Sequence, residues 1–108
     1  MNKAELARAL RSADVVLYQP VALRNGTISD FYIDVKRAYG NPGNLRAMAQ
    51  LTLDNFDPST TCVAASGYGG IPLGVAISLE SGLPLVSVRD REKGHGRGET
   101  IIYSSWCA

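Results

Sequence analysis

The chain has 108 residues, enough for one domain and too few for two. Its apolar fraction of 45% and charged fraction of 19% are those of an ordinary globular protein in water. A formal net charge of +1 speaks against a general nucleic-acid or membrane-surface binder, so any anion site must come from local clustering.

In chain order, Asn2 with Glu5 three residues on forms a capping-box pattern, and Leu6, Ala9, Leu10 and Ala13 follow at helical spacing. A helix is expected over residues 3–12. Val15, Val16, Leu17 and Tyr18, then Val21, Ala22 and Leu23, read as short extended pieces around Pro20. Asn25 and Gly26 mark a turn, and a strand is expected over residues 31–35. Asn41, Pro42, Gly43 and Asn44 open a second helix, with Asn41 or Asn44 as its cap. Leu45, Met48, Ala49, Thr52, Leu53 and Phe56 make its apolar stripe, and it is expected to end near Asp57 and Pro58.

Residues 62–65 form a short apolar strand in which Cys62 reads as buried and reduced. A glycine-rich turn, Ser66 to Gly70, leads into a helix over residues 71–81, with Pro72 in its first turn and Gly82 just past its end. Residues 85–88 form another strand. Strand, turn, helix and strand make a βαβ unit and imply a parallel sheet. Two cysteines and one histidine give neither a zinc grouping nor a disulfide framework. The first residues lack an apolar signal core, and no run approaches about 18 apolar residues, which predicts a cytoplasmic protein without a membrane span.

Three segments can carry chemistry. The turn Ser66-Gly67-Tyr68-Gly69-Gly70 joins a strand end to a helix start, where free N–H groups and the helix dipole suit phosphate. The same glycines would also serve a plain tight turn. The run from Arg89 to Gly98 holds Arg89, Arg91, Lys93, Arg97 and the single histidine, His95, with glycine at every second place from 94 to 98. Such a loop is expected to be mobile and to close over a polyanion, although a charge run also suits a solvated hairpin. The third runs from Leu23 to Asp34. Its aromatics can stack on a flat ring while Arg24 meets a carboxylate, or Phe31 and Ile33 can belong to the core.

Taken in order over residues 4–102, these segments resemble the orotate phosphoribosyltransferase family, of the type I phosphoribosyltransferases. The resemblance lies in Leu23-Arg24-Asn25-Gly26 followed by Ser29-Asp30-Phe31-Tyr32, in Gly67-Tyr68-Gly69-Gly70-Ile71-Pro72-Leu73, and in Arg89-Asp90-Arg91-Glu92-Lys93-Gly94-His95-Gly96. It implies an α/β fold with a parallel sheet and flanking helices. Residues 1–108 would form one domain, incomplete at its C-terminal end. Residues 1–40 would be a hood over the orotate pocket, and residues 41–103 a partial core with the catalytic loop at 89–98. It further implies Mg²⁺-dependent transfer of phosphoribosyl from its pyrophosphate donor, PRPP, to N1 of orotate, by a homodimer. In that likeness Arg24, Phe31 and Tyr32 stand near orotate. Tyr68, with the turn glycines Gly69 and Gly70, and the catalytic Arg89, Lys93 and His95 stand toward pyrophosphate.

The sequence departs from this family at Asp90 and Gly69, where the family has lysines. No acidic pair followed by a phosphate-gripping Thr/Gly loop occurs, and residues 103–108 do not resemble the family. The resemblance therefore implies a truncated family member with little turnover of its own. A non-catalytic binding or dimerisation module is the alternative.

Overall fold

The computed structural model describes residues 2–89 and the backbone of 101–102. Helix α1 spans Lys3–Ser12, as expected. Asn2 caps it, its Oδ1 accepting from the Glu5 N–H at 2.8 Å. That satisfies one of the amides a helix start leaves free. Just past the helix, Asp14 turns the chain at φ 56°, a left-handed conformation that aspartate tolerates better than most residues.

Two small antiparallel hairpins follow, one inside the other. Strand β1 (Val16–Leu17) pairs with β4 (Tyr32–Ile33), and β2 (Val21–Ala22) pairs with β3 (Ile28–Ser29). Asn25 and Gly26 make the inner turn. Gly26 has φ 86°, and Asn25 Oδ1 accepts from the Thr27 N–H at 3.1 Å. The strand expected over residues 31–35 is shorter. It stops at Ile33, and Val35–Gly40 form a 3-10 helix. The turn brings Lys36 and Arg37 onto the Asp34 carboxylate, at 3.2 and 3.5 Å; in an extended strand Arg37 would lie on the opposite face.

Helix α2 spans Pro42–Leu53. Of the two possible caps, Asn41 serves, with Oδ1 accepting from the Gly43 and Asn44 N–H groups at 2.9 and 3.3 Å. Asn44 lies inside the helix and is buried. The helix ends a turn earlier than the apolar stripe suggests. The Asn55 side chain donates to the Leu51 carbonyl at 2.8 Å, and the Phe56 N–H donates to Leu53 at 3.0 Å. Asparagine thus competes with the backbone and tightens the last turn. Phe56 still reaches the core from beyond the helix.

The βαβ unit stands as expected: β5 (Val63–Ser66), α3 (Gly67–Ser81) and β6 (Leu85–Val88), with β5 and β6 parallel. Two details differ. Strand β5 begins one residue later than expected, so Val63 is buried and Cys62 is a half-buried free thiol. Helix α3 starts at Gly67, so Pro72 lies inside it and not in its first turn. Proline has no N–H for the carbonyl four residues back, here Tyr68, so the helix tolerates it only near its start. The far end is as predicted, with Gly82 at φ 77° and its N–H donating to Ser78 at 2.9 Å. Strand β7 (Ile101–Ile102) adds to β6 antiparallel, so the sheet is mixed.

Helix α2 packs against α1 and α3, and α3 lies on β5 and β6. Ala49, Val63 and Ile77 are the buried centre, ringed by Leu53, Phe56, Leu73, Ala76, Leu83 and Leu85. Helix and strand approach closely at Gly74. A Cβ there would stand 2.6 Å from Ala65 Cβ.

Candidate functional site

Strands β5 and β6 end side by side, with Ser66 opposite Val88. Two segments leave that edge together: the start of α3, from Gly67, and Arg89. In open α/β sheets the carboxyl edge of the strands is where ligands bind. Ser66 holds the N-cap position, yet its side chain makes no capping hydrogen bond. That hydroxyl thus leaves the first-turn amides open to an external acceptor. Tyr68 stands in the same turn, 90% exposed. Arg89 Nε is buried without a hydrogen-bond partner among the described residues. An unsatisfied guanidinium N–H is costly to bury, and an anion would satisfy it.

The glycine turn is also held from outside the βαβ unit. The 3-10 helix packs on α3. The Tyr39 hydroxyl donates to the Gly69 carbonyl, across 30 residues of sequence. Val35 Cγ1 lies 3.5 Å from where a Cβ on Gly69 would stand. Burial pushes the Tyr39 hydroxyl above its ordinary value of 10.0, against the opposing charge of Lys36. The Lys36 ammonium, followed by Arg37, holds the Asp34 carboxyl below its ordinary 3.8 despite partial burial. The Lys36 contact is an ion pair and not a well-directed hydrogen bond, because Asp34 Oδ1 has no hydrogen-bond partner of good geometry. Sequence reading missed Val35 and Tyr39 as site residues. The available signal was a tyrosine next to an alanine, Ala38, which the structure buries completely.

The nested hairpins carry the remaining candidates. Arg24 lies in the inner turn, and Phe31 lies between β3 and β4. Ser29 Oγ donates to the Phe31 carbonyl at 2.7 Å and fixes that corner. Phe31 is 52% exposed and Ile33 59%, so the core role open to both in the sequence is excluded. Tyr32 is also exposed at its edge. Only Asp34 separates β4 from the 3-10 helix that grips Gly69, so the aromatic pair and the glycine turn are mechanically joined. Lys93, His95 and the rest of the basic loop beyond Arg89, including its expected mobility, lie outside the described residues.

No family model matches the chain. The orotate phosphoribosyltransferase of Methanosarcina acetivorans is 40% identical to it over 102 residues, which are 94% of this chain and 54% of that protein. Over 94% of its length this chain is similar to curated orotate phosphoribosyltransferases, at 33–40% identity. It spans about half the length of the curated relatives it matches. Among solved structures, the orotate phosphoribosyltransferase of Aeropyrum pernix superposes with a TM-score of 0.74 at 28% identity, over 89% of this chain and 56% of that one. The UMP synthase of Leishmania donovani gives 0.74 at 25% identity, over 96% of this chain and 22% of that one. The architecture is thus part of a type I phosphoribosyltransferase fold. No helix among the described residues is long and apolar enough to cross a membrane.

Against the family pattern, the segments that carry the resemblance fall on two structural units. Tyr68, Gly69, Gly70 and Arg89 share the carboxyl edge of the sheet. Arg24, Phe31 and Tyr32 belong to the hairpins. Among the described residues no three histidine, cysteine or acidic side chains gather where they could hold a metal ion.

Proposed function

We propose that this chain forms the base-binding and pyrophosphate-facing part of an orotate phosphoribosyltransferase in pyrimidine (UMP) synthesis. In the reaction, N1 of orotate bonds to C1′ of the ribose while the C1′–O bond to pyrophosphate breaks. The products are orotidine 5′-monophosphate and pyrophosphate. Negative charge grows on the departing pyrophosphate, and donors aimed at that charge lower the barrier. The observation that carries the reading is the shared edge of β5 and β6. It sets an uncapped glycine turn beside an arginine whose buried Nε has no hydrogen-bond partner among the described residues. Gly69 and Gly70 would meet the pyrophosphate through backbone N–H groups, Arg89 through its guanidinium, and Tyr68 through its hydroxyl. Lys93 and His95 are assigned the same role from sequence. Arg24 would pair with the orotate carboxylate, and Phe31 and Tyr32 would cover its ring.

Any Mg²⁺ comes, in this reading, with the oxygens of PRPP. The assembly is a cytoplasmic homodimer, and neither nucleic acid nor a membrane is a partner. An exposed stripe on α3 supports self-association: Tyr68, Val75 and Leu79 recur at helical spacing, and Leu79 is 80% exposed.

The test is calorimetric titration of the chain with pyrophosphate and with orotate, beside an assay of orotate-dependent pyrophosphate release from PRPP. Binding of both ligands is expected. Binding of both without release would leave a non-catalytic binding module. Failure to bind either at millimolar concentration would refute the reading.

A further inference from the structure

The first turn of α3 is intrinsically weak. Gly67 enters it at φ 75°, outside the helical range, Gly69 and Gly70 are two of the next three positions, and Pro72 withholds an N–H from the Tyr68 carbonyl. Each glycine disfavours helix by about 1 kcal/mol relative to alanine. Sequence alone would therefore leave the amides of this turn poorly aimed. A set of N–H groups favours an anion strongly only when fixed in advance, because ordering them at binding opposes affinity. Within β5, α3 and β6 no side chain is seen to hold the turn, since the Ser66 hydroxyl does not cap it.

The restraint comes from elsewhere. Tyr39 donates to the Gly69 carbonyl, and Val35 presses on the Gly69 backbone. Both belong to the 3-10 helix that continues β4, one residue beyond the exposed Tyr32–Ile33 pair. A carbonyl has two acceptor sites, so Gly69 can take the tyrosine and keep a helical N–H as well. Tyr39 need touch no ligand to act.

We propose that Tyr39 is a positioning residue: its hydroxyl, through the Gly69 carbonyl, fixes the glycine turn for pyrophosphate and couples that turn to the aromatic hairpin where orotate sits. The proposal rests on the functional reading above and deepens it. It predicts reciprocity. Orotate steadies β4 and the 3-10 helix, and so tightens pyrophosphate; pyrophosphate tightens orotate by the same factor.

Tyr39→Phe removes the hydroxyl and keeps the ring. By nuclear magnetic resonance relaxation, the backbone of Gly69 and Gly70 should show lower order parameters in the variant, while that of Ile77, deep in α3, is unchanged. By calorimetry, the variant should bind pyrophosphate about fivefold more weakly, the usual effect of losing one hydrogen bond. Orotate alone should bind it as it binds the wild type, and the mutual tightening should vanish. A purely stabilising tyrosine would lower the melting temperature and leave these ratios untouched. Wild-type pyrophosphate binding with an identical affinity and coupling in Tyr39→Phe overturns the proposal and spares the functional reading. Absence of pyrophosphate binding in the wild type overturns both.

Discussion

Replacing Gly74 by alanine should destabilise the fold, although the change improves helix propensity. The new Cβ would stand 2.6 Å from Ala65 Cβ, 3.3 Å from Leu85 Cδ1 and 3.9 Å from Val63 Cγ1. Carbon atoms prefer about 3.5–4.0 Å, so the first contact is too short by about 1 Å. Ala65 Cβ is bonded directly to the backbone of β5 and cannot rotate away; α3 must move off the sheet. Overpacking of this kind costs about 1–3 kcal/mol, and the gain in helix propensity returns about 1 kcal/mol. A net loss of up to about 2 kcal/mol follows, which for a domain of this size lowers the melting temperature by up to roughly 15 °C. The assay is thermal and urea unfolding followed by circular dichroism. Gly70→Ala is the control, because a Cβ there meets nothing within 4 Å, and its stability should match or slightly exceed that of the wild type. Adding Ala65→Gly to Gly74→Ala should recover about 1 kcal/mol as a coupling energy. A Gly74→Ala protein as stable as the wild type would show that the close approach of α3 to β5 is misjudged.

Three further outcomes are expected. Asn41→Ala removes the acceptor of the Gly43 and Asn44 amides and should cost about 1 kcal/mol in urea unfolding, with Asn41→Asp restoring most of it. The Asp34 carboxyl is held below 3.8 in the folded state, first by Lys36; its contribution is therefore present above the unfolded value and is lost as pH falls through the folded one. Asp34→Asn should flatten that acid limb of a stability–pH curve and leave the curve near neutrality parallel to the wild type. In pyrophosphate titrations Lys93→Ala should weaken binding about tenfold, the scale of one hydrogen bond to a charged group, while Cys62→Ser leaves it unchanged.

Where local rules acted alone, the sequence was legible. The Asn2 cap, the turn at Asn25 and Gly26, and the stop at Gly82 each follow from a side chain or a positive φ that short-range chemistry dictates. The βαβ unit was equally readable, because apolar runs and punctuation agree there. Legibility failed where distant segments decide. Gly67, at φ 75°, marks the entry to α3 locally, but nothing near it signals that Tyr39 and Val35, about 30 residues earlier, restrain Gly69. Val35 was expected to continue the strand from residue 31, whereas it opens a 3-10 helix in which Lys36 and Arg37 lie against Asp34. The shared edge that gathers Tyr68, Gly69, Gly70 and Arg89 was implied by the parallel sheet. The burial of Arg89 Nε, and the exposure of Phe31 and Ile33, depend on packing that no spacing reveals.

The bond from Tyr39 to Gly69 also bears on how the chain acquires its shape as it is made. The donor is synthesised 30 residues before its acceptor. At usual translation rates that interval is roughly 2–6 s, far longer than a hairpin takes to form. Four strands of two residues each can therefore zip and unzip many times on the ribosome before their anchor exists. The nested hairpins reach a settled state only once the glycine turn has emerged and the tyrosine has found it. Residues 16–33 thus depend for their final order on residues synthesised after them.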